Sequence, residues 1–150
     1  MEIYIDADAC PKNIKEILYR TAVKRQVQLN LVANKFLRTP ESTFIKTIIV
    51  PGGQDVADDK IVELISEGDL VITADIPLAD RVIEKHAFAI NPRGNLYTKD
   101  NIKEILSNRN FFTELRNNGI DTGGPAPFTT KDSHEFANQL DRFLTKMLRR

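Results

Sequence analysis

Apolar positions open the chain as a short run, Ile3-Tyr4-Ile5, closed by Asp6, Asp8, Cys10 and Pro11. A run this short, β-prone and followed by turn chemistry, predicts a buried strand. Pro11 suits the first turn of a helix, where a missing N–H costs little. Over residues 12–26 the period changes. Ile14, Ile17, Leu18, Ala22 and Val23 share a helical face, with Lys15, Arg20, Lys24 and Arg25 elsewhere. Gln28 to Ala33 alternates before turning apolar and predicts a second strand. Residues 36–46, with Pro40 and Ser42, hold no period and read as a loop. Thr47 to Val50 predicts a third strand, stopped by Pro51-Gly52-Gly53.

A helix is predicted from about Asp55 to Glu67, with Val56, Ile61, Leu64 and Ile65 inward and Gly68 as its C-terminal cap. Asp69 to Ala74 reads as a strand ending in Asp75, and Pro77 to His86 as a short helix. Ala87 to Ile90 predicts a fifth strand, Asn91-Pro92-Arg93-Gly94 a turn, and Asn95 to Thr98 a short returning strand. Two helices close the chain. One runs from Lys99 to Asn118 and is ended by Gly119; the other runs from about Asp132 to Arg150, with Asp132 and Glu135 as a capping pair. A Gly/Pro/Thr loop at 119–131 joins them. This order predicts an α/β fold, a three-layer sandwich with a mostly parallel central sheet flanked by helices. It is expected to form one domain over 1–150, with 99–150 as a C-terminal helical extension packed on it.

Composition narrows the partners. Lys plus Arg number 21 and so do Asp plus Glu, so no global field draws the chain onto nucleic acid or membrane, although a local basic groove stays open. The single cysteine excludes an intrachain disulfide framework. No apolar run approaches the roughly 20 residues of a membrane span, and no basic stretch precedes an apolar segment at the start. A cytoplasmic protein is expected.

The candidate chemistry lies in the acids. Asp6 and Asp8 stand where a central strand meets its helix, the edge at which open α/β sheets bind ligands. Asp55, Asp58 and Asp59 open a helix at offsets of three and four, so they share a face. Acids in a first turn also serve the helix dipole, by a few tenths to about 1 kcal/mol. Asp75 ends a strand and Asp80 follows on the next helix; neither Asp6 nor Asp75 sits at an obvious cap. Two carboxylates about 4 Å apart repel by about 4 kcal/mol at an effective dielectric near 20. Such a cluster needs a cation or a shared proton. All-oxygen donors without a His or Cys cluster favour Mg²⁺ or Mn²⁺, whose commonest service is phosphoryl chemistry.

Several separated motifs carry a resemblance. Ile5-Asp6-Ala7-Asp8-Ala9-Cys10-Pro11, the stretch from Val50 to Asp59, Thr73-Ala74-Asp75-Ile76-Pro77-Leu78-Ala79-Asp80-Arg81, Asn91-Pro92-Arg93-Gly94 and the late Gly123-Gly124-Pro125-Ala126-Pro127-Phe128 together resemble the YaiI/YqxD family of bacterial proteins. That family is grouped with the PIN-like nuclease superfamily. The resemblance implies a parallel sheet sandwiched by helices and an acidic cluster that binds Mg²⁺ or Mn²⁺ for phosphodiester hydrolysis. The superfamily's first acid falls on Asp6, its Thr-x-Asp-x-x-Leu pattern on Thr73, Asp75 and Leu78, the following acid on Asp80, and its middle acid on Asp58 or Asp59. Asp8 and Cys10 belong to the smaller family's motif, and the two closing helices are unlike a minimal PIN domain.

The expected function is thus a Mg²⁺- or Mn²⁺-dependent nuclease-type hydrolase acting on RNA or single-stranded nucleic acid. Asp6, Asp58, Asp59, Asp75 and Asp80 are its candidate metal ligands. Asp6, Asp8, Asp59, Asp75 and Asp80 are the candidate catalytic groups, and Lys12, Thr73 and Arg93 the candidate phosphate contacts. The balanced charge argues for a short or structured substrate over long duplex. Two alternatives stand beside it. A haloacid-dehalogenase-like phosphatase would use Asp6 to attack phosphorus and Asp8 as acid and base, but Asn34-Lys35 and Pro51-Gly52-Gly53 stand where it needs a Ser or Thr. A non-catalytic binding module would use the same acids structurally or against a basic partner. Cys10 reads as a small packing residue, and His86 and His134 lack ligand partners at useful spacing.

Overall fold

A computed structural model describes residues 1–53, 55–117 and 128–148, the side chains of 109–117 excepted. Six strands and five helices follow in the order β1 (Glu2–Asp6), α1 (Lys12–Arg25), β2 (Gln28–Ala33), β3 (Ile45–Ile49), α2 (Val56–Leu64), β4 (Leu70–Ile72), α3 (Ile76–Glu84), β5 (Phe88–Ile90), β6 (Leu96–Tyr97), α4 (Lys99–Asn117) and α5 (Thr130–Met147). They form one sheet in the order β3-β2-β1-β4-β5-β6. The first five are parallel, with Ile3 opposite Leu29 and Leu70, and β6 returns antiparallel to β5.

Both faces of the sheet are covered, which is why its strands read as near-continuous apolar runs. Ile3, Ile5, Leu29 and Leu31 pack against Ile14 and Leu18 of α1 and Phe136, Leu140 and Leu144 of α5. The alternate residues Tyr4, Val32, Val71 and Ala89 meet Ile61 of α2, Leu78 and Val82 of α3 and Ile102 of α4. This is the three-layer sandwich expected, with α1 and α5 on one side and α2, α3 and α4 on the other. No helix among the described residues is long and apolar enough to cross a membrane.

Several boundaries differ from the periodicity. α2 stops at Leu64 rather than Glu67, because Ile65 is extended and buried. Gly68 is therefore not a helix cap; it turns the chain into β4, its N–H donating to the His86 carbonyl. That turn is fixed by Asp69, a buried acid whose carboxylate accepts the N–H groups of Ser66 and Glu2. β3 begins at Ile45, two residues before the expected start, in register with Leu29. α5 begins earlier as well. Thr129 caps it and Asp132 is the reciprocal partner of that capping box, rather than the cap itself. Gly119 and most of the expected Gly/Pro loop, including Gly123-Gly124-Pro125, fall outside the described residues.

The β5–β6 turn joins the sheet to α5. The Asn91 Oδ1 accepts the N–H groups of Arg93 and Asn95, shaping the turn. Gly94 follows at φ +94, directly against the α5 backbone at Glu135.

Candidate functional site

The sheet order sets the site. The chain leaves β1 toward β2 on one side and leaves β4 toward β5 on the other, so the loops after these neighbouring strands diverge. Crevices at such switch points are where open α/β sheets bind ligands. Here the crevice is a cleft of about 270 Å³, lined by Asp6 and Asp8 after β1, Asp55 and Asp58 at the start of α2, and Thr73 and Asp75 after β4.

Each acid is held differently. Asp6 is half-buried and its Oδ1 accepts the Asp8 N–H at 3.1 Å. Burial raises its pKa above the ordinary carboxylate value; the Asp8 N–H works against this, while the charges of Asp8 and Asp75 add to it. Asp8 is exposed, and its Oδ2 accepts the Asn34 N–H at 2.8 Å, tying the β1–α1 turn to the end of β2. Asp58, in the first turn of α2, is half-buried and its pKa is pushed up to about 6, first by burial and then by the charges of Asp75, Asp6 and Asp55. Asp55 sits ahead of α2 with positive φ and makes no side-chain cap.

Asp75 corrects an expectation. It caps α3, its Oδ1 accepting the Leu78 N–H at 2.9 Å, while its own N–H donates to the Thr73 Oγ1 at 2.9 Å. The predicted helix started at Pro77, one residue late, which left Asp75 outside the cap position. Thr73 is buried, and its Oγ1 accepts this bond, which leaves its own O–H as a donor.

Four expected site residues point elsewhere. Asp59 is exposed and pairs with Arg81 at 2.9 Å, so of the two candidates for the middle acid only Asp58 lines the cleft. Asp80 pairs with Lys103 of α4 at 2.8 Å. Arg93 lies 3.4 Å from Asp132, with its guanidinium 5.9 Å from the Phe128 ring centre, which ties it to the start of α5. Lys12 opens α1 as an exposed residue away from the cleft lining. Cys10 does line the cleft, but burial pushes its thiol up to about 12, with Lys15 opposing and Asp6 adding, so it is uncharged at neutral pH.

Among the described residues, Asp6, Asp8, Asp58 and Asp75 form no ion pair. Nor do any three acidic, histidine or cysteine side chains among them stand close enough to hold a metal ion as placed. The cleft therefore gathers like charges, and those of Asp75, Asp6 and Asp55 raise the pKa of Asp58 against an opposing contribution from Arg81.

That strain has a measurable sign. The folded chain binds a proton at Asp58 more tightly than the unfolded chain does, so this residue's contribution to stability falls as pH rises from about 4 through about 6. Asp58→Asn is expected to stabilise the fold by about 1 kcal/mol at pH 8, after allowance for solvent screening, and to change nothing at pH 3. Urea melts at the two pH values measure it.

Asn34 and Pro92 also line the cleft, and their place follows from strand order rather than from any local signal. The family model described as "Uncharacterized BCR, YaiI/YqxD family" matches residues 4–146. The chain belongs to the YaiI/YqxD family. Within it, the chain is 60% identical over 150 residues to a UPF0178 protein of Maridesulfovibrio salexigens, covering 100% of this chain and 99% of that one. It is 60% identical over 146 residues to UPF0178 protein HEAR0259 of Herminiimonas arsenicoxydans, covering 97% and 98% of the two chains. A UPF0178 protein of Burkholderia lata is 57% identical over 146 residues, 97% of each chain. No solved structure matches the chain. Residues after β1, ahead of α2 and after β4, with Pro92 of the β5–β6 turn, thus line one cleft.

Proposed function

We propose that this YaiI/YqxD protein is a Mg²⁺- or Mn²⁺-dependent phosphodiesterase acting on RNA or single-stranded nucleic acid, with Asp6, Asp58 and Asp75 holding the cation. The observation that carries this reading is the convergence of acids from three separate elements on one cleft at the switch point, with no ion-pair partner among the described residues. The donors are all oxygen, which fits a hard divalent cation. A cation there would offset their mutual repulsion. When bound, it would supply positive charge to the phosphoryl oxygens and acidify water.

The chain's own residues do the positioning. The Thr73 hydroxyl and the Leu78 N–H fix Asp75 from both sides. The Asp8 N–H orients Asp6, and Asp8 in turn is clamped to Asn34. The end of β2 weighs against the phosphatase alternative, because Asn34 stands where that chemistry needs a Ser or Thr. The uncharged Cys10 thiol is no nucleophile at neutral pH.

The test is cleavage of a labelled single-stranded RNA with Mn²⁺ or with EDTA, beside a small phosphomonoester. Cleavage of RNA only with the cation, and no turnover of the monoester, is the expected result. Turnover of the monoester alone would overturn it in favour of a phosphatase, and no turnover of either would leave a binding module.

A further inference from the structure

Phe36 is 88% exposed, the most exposed large apolar side chain among the described residues. Single apolar residues on a surface are ordinary, but this one is held out from both sides. Two residues before it, the Asn34 N–H is fixed to Asp8 and Asn34 lines the acidic cleft. One residue after it, Leu37 packs against the core beneath the β1 face. Two extended residues span at most about 7 Å, so Phe36 stands within that reach of the cleft rim. From Asn34 to Pro40 the chain carries two cations, Lys35 and Arg38, and no acid. Both are exposed, and neither forms an ion pair among the described residues. In a chain of zero net charge, this is an unneutralised basic segment beside an acidic site.

We propose that the 34–38 segment is a platform for single-stranded nucleic acid, with a base stacked on Phe36 and the flanking phosphates on Lys35 and Arg38. The inference rests on the reading of the cleft as a phosphodiesterase site, and it names the part of the substrate that this site grips. Stacking on an aromatic ring with adjacent cations is how proteins bind single strands without reading sequence. A large contiguous apolar patch would mark a protein-binding face, and here the ring stands alone between two charges. At about 3.4 Å per stacked nucleotide, that reach places the gripped base at most about two nucleotides from the cleft.

The chain has no tryptophan, so Phe36→Trp places one indole at the site. With Mn²⁺ present, a phosphorothioate-linked single-stranded RNA octamer is expected to quench that indole. Phe36→Ala is expected to bind the octamer about tenfold or more weakly and Phe36→Tyr to restore it. An abasic octamer is expected to bind wild type no better than the full octamer binds Phe36→Ala. Unchanged octamer affinity in Phe36→Ala, or an unquenched indole, would overturn the platform. So would an indole emission that shifts with protein concentration alone, which would assign the ring to a second copy of the chain. Mn²⁺-dependent turnover of a dinucleotide by wild type reads the cleft by itself. Dinucleotide turnover with unchanged octamer binding would sink the platform and keep the cleft reading. Octamer binding through Phe36 with no hydrolysis would keep the platform and sink the cleft reading.

Discussion

Asp75→Asn is expected to lose more than about 100-fold in Mn²⁺-dependent cleavage while melting within a degree or two of wild type. The two halves of this expectation separate the residue's two jobs. As a cap, Asp75 needs one oxygen for the Leu78 N–H, and asparagine caps helices as well as aspartate does. As a cation ligand it needs its charge, which asparagine lacks. Residues that merely support a ligand cost about 10- to 100-fold when removed, so a ligand itself should exceed that range. Asp75→Ala should show the same loss of activity and add about 1 kcal/mol of destabilisation from the missing cap. Rates on the RNA substrate and thermal melts of the two variants give the answer. If Asp75→Asn keeps its rate and only Asp75→Ala suffers, Asp75 is a cap and nothing more.

Gly94→Ala should be the most damaging single methyl in the described chain, costing about 3 kcal/mol or more and lowering the melting temperature by about 6–12 °C. Two effects add. The residue holds φ +94, which strains any side chain, and its new Cβ would meet the Glu135 carbonyl carbon and oxygen at 2.7 Å and the Phe136 nitrogen at 2.9 Å. Those atoms are helix backbone and cannot swing aside, so either the turn or α5 must move. Gly68→Ala isolates the first effect. That residue is at φ +87 with nothing within 4 Å of a Cβ, and it should cost only about 1 kcal/mol. Equal costs at the two positions would show that the turn and α5 part easily. The Asn91-Pro92-Arg93-Gly94 motif would then join the sheet to the last helix less firmly than the contacts imply.

The sandwich was legible in the sequence because its signals are local. Gln28 to Ala33 reads as a strand and forms one with those bounds, since Leu29, Leu31 and Ala33 alternate onto one buried face and Asn34-Lys35 ends the run. The α1 helix likewise follows from the spacing of Ile14, Leu18 and Ala22. The presence of acids at strand ends was equally plain, but what each acid touches was not. Asp59 and Asp80 lie in the same short stretches as Asp58 and Asp75, and only the packing of α2 on α3, and of α3 on α4, turns them toward Arg81 and Lys103. Arg93 looked like a phosphate contact because it follows a strand; the approach of α5, forty residues on, gives it Asp132. Asp69 carries no local signal as the first residue of a strand, yet it is a buried acid satisfied by two backbone N–H groups at the opposite edge of the sheet. Pairings of this kind depend on sheet order, and a period of 2 or 3.6 carries no information about that.

Divalent-cation binding by the cleft acids is read by a calorimetric titration with Mn²⁺ on wild type, Asp75→Asn and Asp59→Asn. Saturable binding to wild type, its loss in Asp75→Asn and its retention in Asp59→Asn, whose carboxylate is turned to Arg81 outside the cleft, are the expected results. Wild type that takes up no Mn²⁺, or Asp75→Asn that binds it as wild type does, would overturn the cation site.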